Sequence, residues 1–389
     1  MNPRVFVLAL GTFAIGTGTF VVTGLLGAVS EDLSVSVATA GHLVTVFAVA
    51  YAVGSPVLVA ATGRVARRRL LVAALVLFAL ANVAAAFAPT YLLLLAARVV
   101  AACGAAILTP VAGAVAAGLT EPEKEGRALS VVLGGLSVSW VVGIPAGALV
   151  ADRYGWRMSF VLVAVLAVLA AVGVRALLPA VENPQTEGLV RRLAVVGRPA
   201  VLVAVSITAL GVGAGFVVLT YVRPLLEKLT DFGGGGIGGM LLLFGLASVA
   251  GTALGGYAAD RWGYVTSVVP ILVVLVISLL SFSLLSVLEA GSLFAVLGTG
   301  AALVAWSVVG FALIPLQQYR LIGVAPEEGN EVLSLNASAI YLGQGLGAGL
   351  GSAVLGHLSL AALGWAGALC AALALILLLL GIRLSSRAA

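Results

Sequence analysis

Twelve long apolar runs dominate the sequence, and each is long enough to cross a lipid bilayer as a helix. They lie at roughly 5–26, 38–61, 69–88, 91–118, 128–151 and 156–179, and then at 200–222, 236–259, 264–287, 292–316, 332–356 and 361–382. A bilayer core about 30 Å thick requires about 20 apolar residues per helix. The runs are apolar on every side, whereas the strands of a transmembrane barrel alternate polar and apolar residues. We therefore predict an all-α polytopic membrane protein with twelve transmembrane helices.

Composition excludes most other classes of protein. Of the 389 residues, 62% are apolar and only 9% are charged, whereas a soluble protein carries about 25% charged residues. This balance excludes a soluble enzyme, a disordered chain and a nucleic-acid binder, so the chain's surroundings are the lipid bilayer. The two cysteines, Cys103 and Cys370, lie inside apolar runs and predict neither a disulfide nor a metal site. We expect no metal and no cofactor.

Basic residues fall mainly on one side of the predicted membrane. With the N-terminus in the cytoplasm, fifteen of the twenty Lys and Arg residues lie at the cytoplasmic side, four lie outside, and Arg98 lies within the fourth span. Positive charge is concentrated at the cytoplasmic side of membrane proteins. We expect both termini in the cytoplasm.

A polar interval divides the twelve runs into two sets of six. It runs from Glu182 to Arg198 and includes Glu187, Arg191 and Arg192. We predict an N-terminal six-helix half over 1–180, a cytoplasmic linker over 181–198 and a C-terminal six-helix half over 199–389.

The two halves share an internal repeat. The segment GIPAG at 143–147 is matched 204 positions later by GAGLG at 347–351, and Pro122-Glu123 is matched at the same offset by Pro326-Glu327. Each half has an even number of spans, so equivalent helices point the same way across the membrane. Two parallel six-helix repeats around a cavity at the membrane midplane are a known transporter plan.

Several short motifs resemble those of the major facilitator superfamily. The loops GRVARR at 63–68 and GYAADRWG at 256–263 look like two copies of its signature G-x-x-x-D-R-x-G-R-R. Arg98 with Gly104 resembles the R-x-x-x-x-x-G feature of its fourth span, and GIPAG at 143–147 resembles its antiporter motif. The first span and the outer segment Gly155-Trp156-Arg157 resemble the bacterial drug, sugar and nucleoside efflux branch, the drug:proton antiporters.

This resemblance implies a secondary transporter of the bacterial inner membrane. Proteins of that branch export small organic molecules by alternating access, usually in exchange for protons, and many confer multidrug resistance. We expect a monomer. Its substrate is expected to be a drug-like, sugar or nucleoside molecule, and no single class is chosen because a fold alone does not identify the transported molecule. The alternatives are an uncoupled carrier of a neutral or anionic solute and an integral-membrane enzyme, although the sequence has no constellation of catalytic residues.

The chain departs from the superfamily pattern at two places. In the first signature loop Gly63 replaces the aspartate and Ala66 replaces the later glycine, whereas the second loop keeps Asp260. In the first span Thr19 stands where the branch usually has a glutamate, and no carboxylate lies near the middle of any span. A hydroxyl does not titrate, so three routes remain: facilitated diffusion, coupling through a peripheral group such as His42 or Asp152, and coupling through the charge of the substrate against Arg98. We expect antiport that is weak or unusual in its proton carrier.

Candidate substrate-binding residues are the polar and aromatic positions inside the spans. Arg98 is the only charged one, and a buried charge costs about 2.5–3.5 kcal/mol on insertion scales; it either contacts substrate or fastens helices through carbonyl groups. Thr12, Gly16, Thr19 and Thr23 share one face of the first span, which either lines a cavity or packs against a neighbour. The candidate set is Thr19, Thr23, Arg98, Phe216, Thr220, Trp306, Asn336, Tyr341 and Gln344.

The eleventh span is the most polar, and its amides and hydroxyls predict either a cavity wall or hydrogen bonds between helices. Pro145 predicts a kink in the fifth span, and the glycines around it predict close helix packing. The superfamily motifs give the candidate gating residues, which are Arg64, Arg67, Arg68, Gly143, Pro145, Gly147, Asp260 and Arg261.

Overall fold

The computed structural model describes residues 3–121, 124–179 and 197–388, and the side chains of residues 126, 330 and 384–388 lie outside that description. The Pro122-Glu123 pair of the repeat and most of the predicted linker over 181–198 also lie outside the described residues. The predicted boundaries of the two halves therefore stay a prediction. The contacts divide the chain into two compact units, Met1–Gly188 and Leu189–Ala389.

The described part of the first unit contains eight α-helices and two short interruptions. A 3-10 turn covers Val21–Gly24 and a π-helical segment covers Ser139–Gly143. The helices are α1 (Pro3–Phe20), α2 (Leu26–Asp32), α3 (Val37–Ala61), α4 (Arg67–Ala86), α5 (Tyr91–Gly118), α6 (Glu125–Val138), α7 (Ile144–Tyr154) and α8 (Trp156–Leu177).

Over residues 197–388 the second unit contains seven α-helices and a 3-10 turn at Pro326–Glu328. The helices are α9 (Pro199–Leu219), α10 (Val222–Thr230), α11 (Gly234–Trp262), α12 (Tyr264–Leu285), α13 (Leu293–Val324), α14 (Gly329–His357) and α15 (Ala362–Ala388). The described residues form no β-strand, which confirms the predicted all-α fold.

Eleven segments of the described chain are long and apolar enough to cross a membrane. One of them, Pro3–Gly24, joins α1 to the 3-10 turn, and another, Arg127–Tyr154, runs through α6, the π segment and α7. Helix α14 is the twelfth, at 29 residues. It is less apolar than the others because glycine, serine, asparagine and glutamine occupy much of it, as the sequence predicted for the eleventh span.

The tenth span is longer than the sequence predicted. The apolar run was expected to end at 316, but α13 continues to Val324 and is 32 residues long. Its last two turns carry the buried residues Gln317 and Leu321. Because Leu321 packs in an apolar cluster with Val201 of α9 and Val332 of α14, these turns are held by neighbouring helices.

Small residues let the helices approach closely within each unit. In the first unit α1 packs against α6 and α8, and α5 packs against α3 and α4; in the second, α9 packs against α14 and α15, and α13 against α11 and α12. At Gly104 of α5 an added Cβ would lie 2.7 Å from the carbonyl oxygen of Ala74. Close approach of this kind drives helix association in lipid, where apolar side chains gain nothing by leaving the hydrocarbon.

Candidate functional site

Arg98 is enclosed by backbone and an aromatic ring. Its side chain on α5 is 1% exposed. Nη1 donates to the carbonyl of Gly18 at 2.8 Å, Nη2 donates to that of Thr19 at 3.4 Å, and Nε donates to that of Leu43 at 3.4 Å. The guanidinium carbon lies 4.2 Å from the ring centroid of Phe47. These contacts favour the interpretation that Arg98 joins helices α1, α3 and α5 through hydrogen bonds to backbone carbonyls.

Two of the three carbonyl groups that Arg98 binds are freed by the end of α1. This helix ends at Phe20 and the chain continues as the 3-10 turn Val21–Gly24. The last four carbonyls of an α-helix have no donor within that helix, so those of Gly18 and Thr19 are available. A cation is also favoured at a helix C-terminus. Arg98 therefore stabilises the break in the first span.

The N-terminal part of the threonine-bearing face of α1, at Thr12 and Gly16, packs against the fifth span. Thr12 Oγ1 donates to the carbonyl of Val132 on α6 at 2.5 Å. A Cβ added to Gly16 would lie 2.8 Å from Cβ of Ser139 in the π segment. Thr12 and Gly16 are thus occupied by contacts with the fifth span.

The C-terminal part of that face carries Thr19 and Thr23, which are both buried. Thr19 Oγ1 donates to the carbonyl of Ile15 at 2.7 Å, and Thr23 Oγ1 donates to that of Phe20 at 2.8 Å. Each hydroxyl proton is used inside its own helix, so what each hydroxyl can offer a ligand is a lone pair.

The fifth span is irregular where the antiporter-like motif begins. The π segment Ser139–Gly143 ends directly before α7, and Pro145 is the second residue of that helix. Proline has no N–H and clashes with the preceding turn, and a π segment absorbs that mismatch. A Cβ on Gly143 would lie 3.0 Å from Cβ of Thr17, and a Cβ on Gly147 would lie 3.3 Å from Cβ of Val21. The motif therefore combines a break with close approach to the first span.

In the second unit Trp306 lies at the centre of an aromatic cluster on α13. Its ring centroid is 4.9 Å from that of Phe244 and 5.8 Å from that of Phe282. A Cβ added to Gly215 of α9 would lie 3.0 Å from the indole nitrogen. The ring is thus held rigidly by neighbouring helices.

Two further candidates lie at the end of α9. Phe216 and Thr220 are buried, and Thr220 Oγ1 donates to the carbonyl of Phe216 at 2.8 Å. Like those of Thr19 and Thr23, the hydroxyl of Thr220 donates its proton to a nearby backbone carbonyl and keeps a lone pair that can accept a hydrogen bond.

The three candidates on α14 are all buried, namely Asn336, Tyr341 and Gln344. Asn336 Oδ1 accepts a hydrogen bond of 2.8 Å from Thr208 Oγ1 of α9. The polar positions of the eleventh span therefore include at least one hydrogen bond between helices, as one of the two interpretations predicted.

The first signature loop has one arginine at a defined helix end. Arg68 Nη1 donates to the carbonyl of Leu178 at 3.1 Å, directly after α8 ends at Leu177. Arg67 is buried and Arg64 is exposed. Arg68 thereby joins the start of the third span to the end of the sixth.

The second signature loop has a different backbone from the first. Gly263 has φ +76° and ψ 171°, a conformation that is restricted essentially to glycine. Ala66, at the equivalent place of the first loop, has φ −55° and ψ 129°. Asp260 and Arg261 are exposed at the end of α11. The departure at Ala66 therefore corresponds to a real difference in chain path.

Carboxylates are absent from the buried set of the described residues. Asp32, for example, lies at the end of α2, where its Oδ2 accepts from Trp156 Nε1 at 3.3 Å and also pairs with Arg157. Within the described part of the chain no group of three His, Cys, Asp or Glu side chains could hold a metal ion.

Sequence reasoning missed three residues that the structure brings into polar or aromatic clusters. Trp140, in the π segment, stacks on Phe20 with ring centroids 4.0 Å apart; Pro145, five positions later, was the available signal of a shifted helix register. Tyr264 donates from its hydroxyl to Gln317 Oε1 at 2.8 Å. Gln317 was missed because the apolar run was taken to end one residue before it.

The helices, the two six-span units and the motif geometry define a multi-pass membrane protein of transporter type. A family model described as Major Facilitator Superfamily matches residues 8–348. The chain belongs to this superfamily, as its motifs predicted.

Relatives and a solved structure agree with this assignment. The inner membrane transport protein YdhP of Escherichia coli K12 is 32% identical over 388 residues, or 98% of this chain and 97% of that protein. A chloramphenicol resistance protein of Streptomyces lividans is 36% identical over 265 residues, or 67% of this chain and 68% of that protein. A bacterial homologue of the human lysosomal transporter Spinster, solved in an inward-facing and occupied conformation, has a TM-score of 0.75 at 16% identity, covering 97% of this chain and 96% of that one.

Proposed function

We propose that this transporter exports a small, uncharged organic molecule from the bacterial cytoplasm by alternating access. The observation that carries the proposal is the absence of a free buried charge among the described residues. No carboxylate is buried there to attract a cation. Arg98 already donates to three carbonyls, so an anion gains little from it. The similarity to a chloramphenicol resistance protein supports a drug-like substrate and the direction of transport.

The substrate contacts that we propose combine aromatic rings with hydroxyl lone pairs. In the first unit they are Thr19 and Thr23, and in the second they are Phe216, Thr220 and Trp306. Aromatic rings attract flat apolar groups, and the three hydroxyls accept hydrogen bonds from a ligand. Arg98 acts through Thr19, whose carbonyl it binds, as a positioning residue. Tyr341 and Gln344 complete the proposed set, since buried polar groups provide orientation in a mostly apolar site. Asn336 is left out of it because its side chain bonds to Thr208 between helices.

We assign gating to the two signature loops and the antiporter-like motif. Arg68 binds the end of α8 and Pro145 follows the π segment, so both lie where a helix begins, ends or bends. Such positions absorb backbone change during domain movements. Arg64, Arg67, Asp260 and Arg261 belong to the same proposal on the strength of the motif alone.

Coupling to protons is the second part of the proposal. We expect weak antiport in which His42 or Asp152 carries the proton, because both are exposed, His42 in the second turn of α3 and Asp152 in the last turn of α7. Facilitated export without protons is the second candidate function. The lack of a buried carboxylate among the described residues favours that candidate.

The proposed setting is the inner membrane, with both termini in the cytoplasm and the protein acting as a monomer. The distribution of basic residues supports this orientation. The similarity to an inner membrane transport protein of Escherichia coli supports the location.

Counterflow in proteoliposomes tests the export proposal. Vesicles loaded with unlabelled chloramphenicol should transiently accumulate the labelled compound through the protein. Trp306→Leu should raise the half-saturating concentration about tenfold, because aromatic contacts contribute about 0.5–1.5 kcal/mol beyond burial. Trp365→Leu is the matched control, since Trp365 is 57% exposed on α15. Counterflow absent for chloramphenicol and for sugars, nucleosides and other uncharged drugs would contradict the proposal.

A further inference from the structure

A chain of polar groups crosses four helices of the second unit. Asn336 of α14 accepts from Thr208 of α9, and Thr208 Oγ1 also lies 3.3 Å from the carbonyl oxygen of Ala204. The same carbonyl accepts from Gln317 Nε2 of α13 at 3.4 Å, and Gln317 accepts from Tyr264 of α12 at 2.8 Å. Asn336, Thr208 and Gln317 are all buried.

This polar layer lies one helical turn from an apolar layer. Thr208 follows Ala204 by four residues on α9, Asn336 follows Val332 by four on α14, and Gln317 precedes Leu321 by four on α13. Four residues are about one turn, or about 6 Å along a helix. The apolar layer consists of Val201, Ala204, Leu321, Ala325 and Val332, with Val205, Val324 and Leu335 packed against it.

An ion pair lies beyond the apolar layer at the same end of the unit. Arg198, directly before α9, binds Glu328, directly before α14, through two nitrogen–oxygen contacts of 3.0 and 2.5 Å. The order from the helix ends inward is therefore charged, apolar and polar. The apolar layer separates the polar one from bulk water at that end.

One group in the polar layer has no partner. Asn336 is 0% exposed, and among the described residues its Nδ2 makes no hydrogen bond. Exchanging the amide oxygen and nitrogen does not remove the deficit. Nδ2 would then donate to Thr208 and leave Oδ1 without a donor. A buried amide without a partner is costly, and in proteins such groups are usually paired with protein atoms or ordered water.

Lone pairs for an additional ligand are present in the same layer. Gln317 Oε1 has two lone pairs and accepts one bond, and the oxygen of Thr208 also accepts in addition to donating. A molecule that takes a hydrogen bond from Asn336 and donates one onward fits this inventory. Water does both, and buried waters typically make about three hydrogen bonds.

We propose that Asn336 binds an ordered water molecule inside the second unit, within the polar layer formed with Thr208 and Gln317. The amide nitrogen donates to the water oxygen, and the water donates to oxygens of the layer. This water is part of the folded unit and joins α14 to α9 and α13. The inference does not depend on which substrate is carried.

A structure of the native protein at a resolution that shows ordered water tests this directly, with Asn336→Val for comparison. Valine is the residue at the matching position of the first unit, Val132, at the repeat offset of 204. We expect a density peak about 2.7–3.2 Å from the Asn336 side-chain nitrogen that is lost in the variant. A native amide bonded directly to a protein group would overturn the proposal. So would an empty position there while waters on other buried groups are visible.

Thermal unfolding gives an independent test, because the direction of the change in Tm shows whether the amide is satisfied. The comparison is made in a Thr208→Val background, because Asn336→Val alone would also remove the hydrogen bond between Thr208 and Asn336. If the amide is satisfied by water, adding Asn336→Val removes further hydrogen bonds and should lower Tm by about 2–4 °C. If the amide nitrogen is unsatisfied, adding Asn336→Val leaves Tm unchanged or raises it, which overturns the proposal. Thr220→Val is the control, because Thr220 is equally buried and its hydroxyl bonds within its own helix.

Discussion

Thr12 and Thr208 are each the tenth residue of the first helix of their unit, α1 and α9, but they bind different groups. Thr12 Oγ1 donates to the backbone carbonyl of Val132, whereas Thr208 Oγ1 donates to the side chain of Asn336. Val132 and Asn336 are 204 positions apart, the offset of the glycine repeat. The first unit satisfies its threonine with backbone alone. The second unit has an amide at that place and, with it, a polar chain through four helices.

The glycine repeat shows the same divergence. Gly143 of the first unit faces the side chain of Thr17, whereas Gly347 faces the backbone of Gly213, with an added Cβ 2.9 Å from its carbonyl carbon. The charged groups differ as well. The first unit buries the cation of Arg98 beside the end of α1, and the second unit buries the uncharged amides of Asn336 and Gln317 in its polar layer. A duplicated fold has thus kept its helix contacts and changed the polar groups that fix them.

Removing the cation of the first unit should have the largest effect. Arg98→Met leaves the carbonyls of Gly18 and Thr19 without donors and should cost about 2–5 kcal/mol, because each unsatisfied buried acceptor costs about 1–3 kcal/mol. Unfolding in detergent and counterflow both measure it, and Arg175→Met, at an exposed position of α8, is the control. A variant that unfolds and transports like the native protein would show that Arg98 neither stabilises these helices nor supports transport.

Giving the first unit the residue of the second should be the next most damaging change. Val132→Asn inserts an amide where Thr12 already binds the backbone, and an unmatched buried amide costs about 1–3 kcal/mol. Tm should fall further than for Asn336→Val. Equal tolerance of both exchanges would mean that the two units do not differ in how they accommodate an amide.

The glycine seams should respond unequally to a methyl group. Gly347→Ala meets backbone that cannot rotate away, so we expect a cost of about 1–3 kcal/mol. Gly143→Ala meets a threonine side chain and should cost less. Gly134→Ala, whose added Cβ meets nothing within 4 Å, controls for the substitution itself. Equal losses of Tm for Gly143→Ala and Gly347→Ala would show that the two helix contacts tolerate a methyl group equally well.

The smallest difference should lie in the signature loops. Gly263→Ala forces an L-residue to φ +76° and should cost about 1–3 kcal/mol at most, whereas Ala66→Gly acts chiefly by making the unfolded chain more flexible, at about 0.4–1 kcal/mol. Denaturation of the two single variants compares them. A larger loss at Ala66 would contradict the assigned backbone difference.

Sequence patterns predicted the class of fold because membrane spans are specified by length and apolarity alone, and the superfamily motifs are local strings. They did not predict the end of α13, since apolarity stops at 316 while packing of Leu321 continues the helix. They also left Arg98 between two interpretations. Only tertiary structure brings the free carbonyls of the broken α1 to its guanidinium, and neither the break at Val21–Gly24 nor the π segment has a periodicity that a sequence reveals.

Uptake into proteoliposomes under an imposed pH gradient tests the claim that, within the described residues, neither unit has a buried carboxylate to carry protons. The native protein and Thr19→Gln should accumulate substrate weakly, His42→Gln or Asp152→Asn should abolish that accumulation, and Thr19→Glu should increase it. Strong gradient-driven accumulation by the native protein that survives changes at both His42 and Asp152 would contradict the claim.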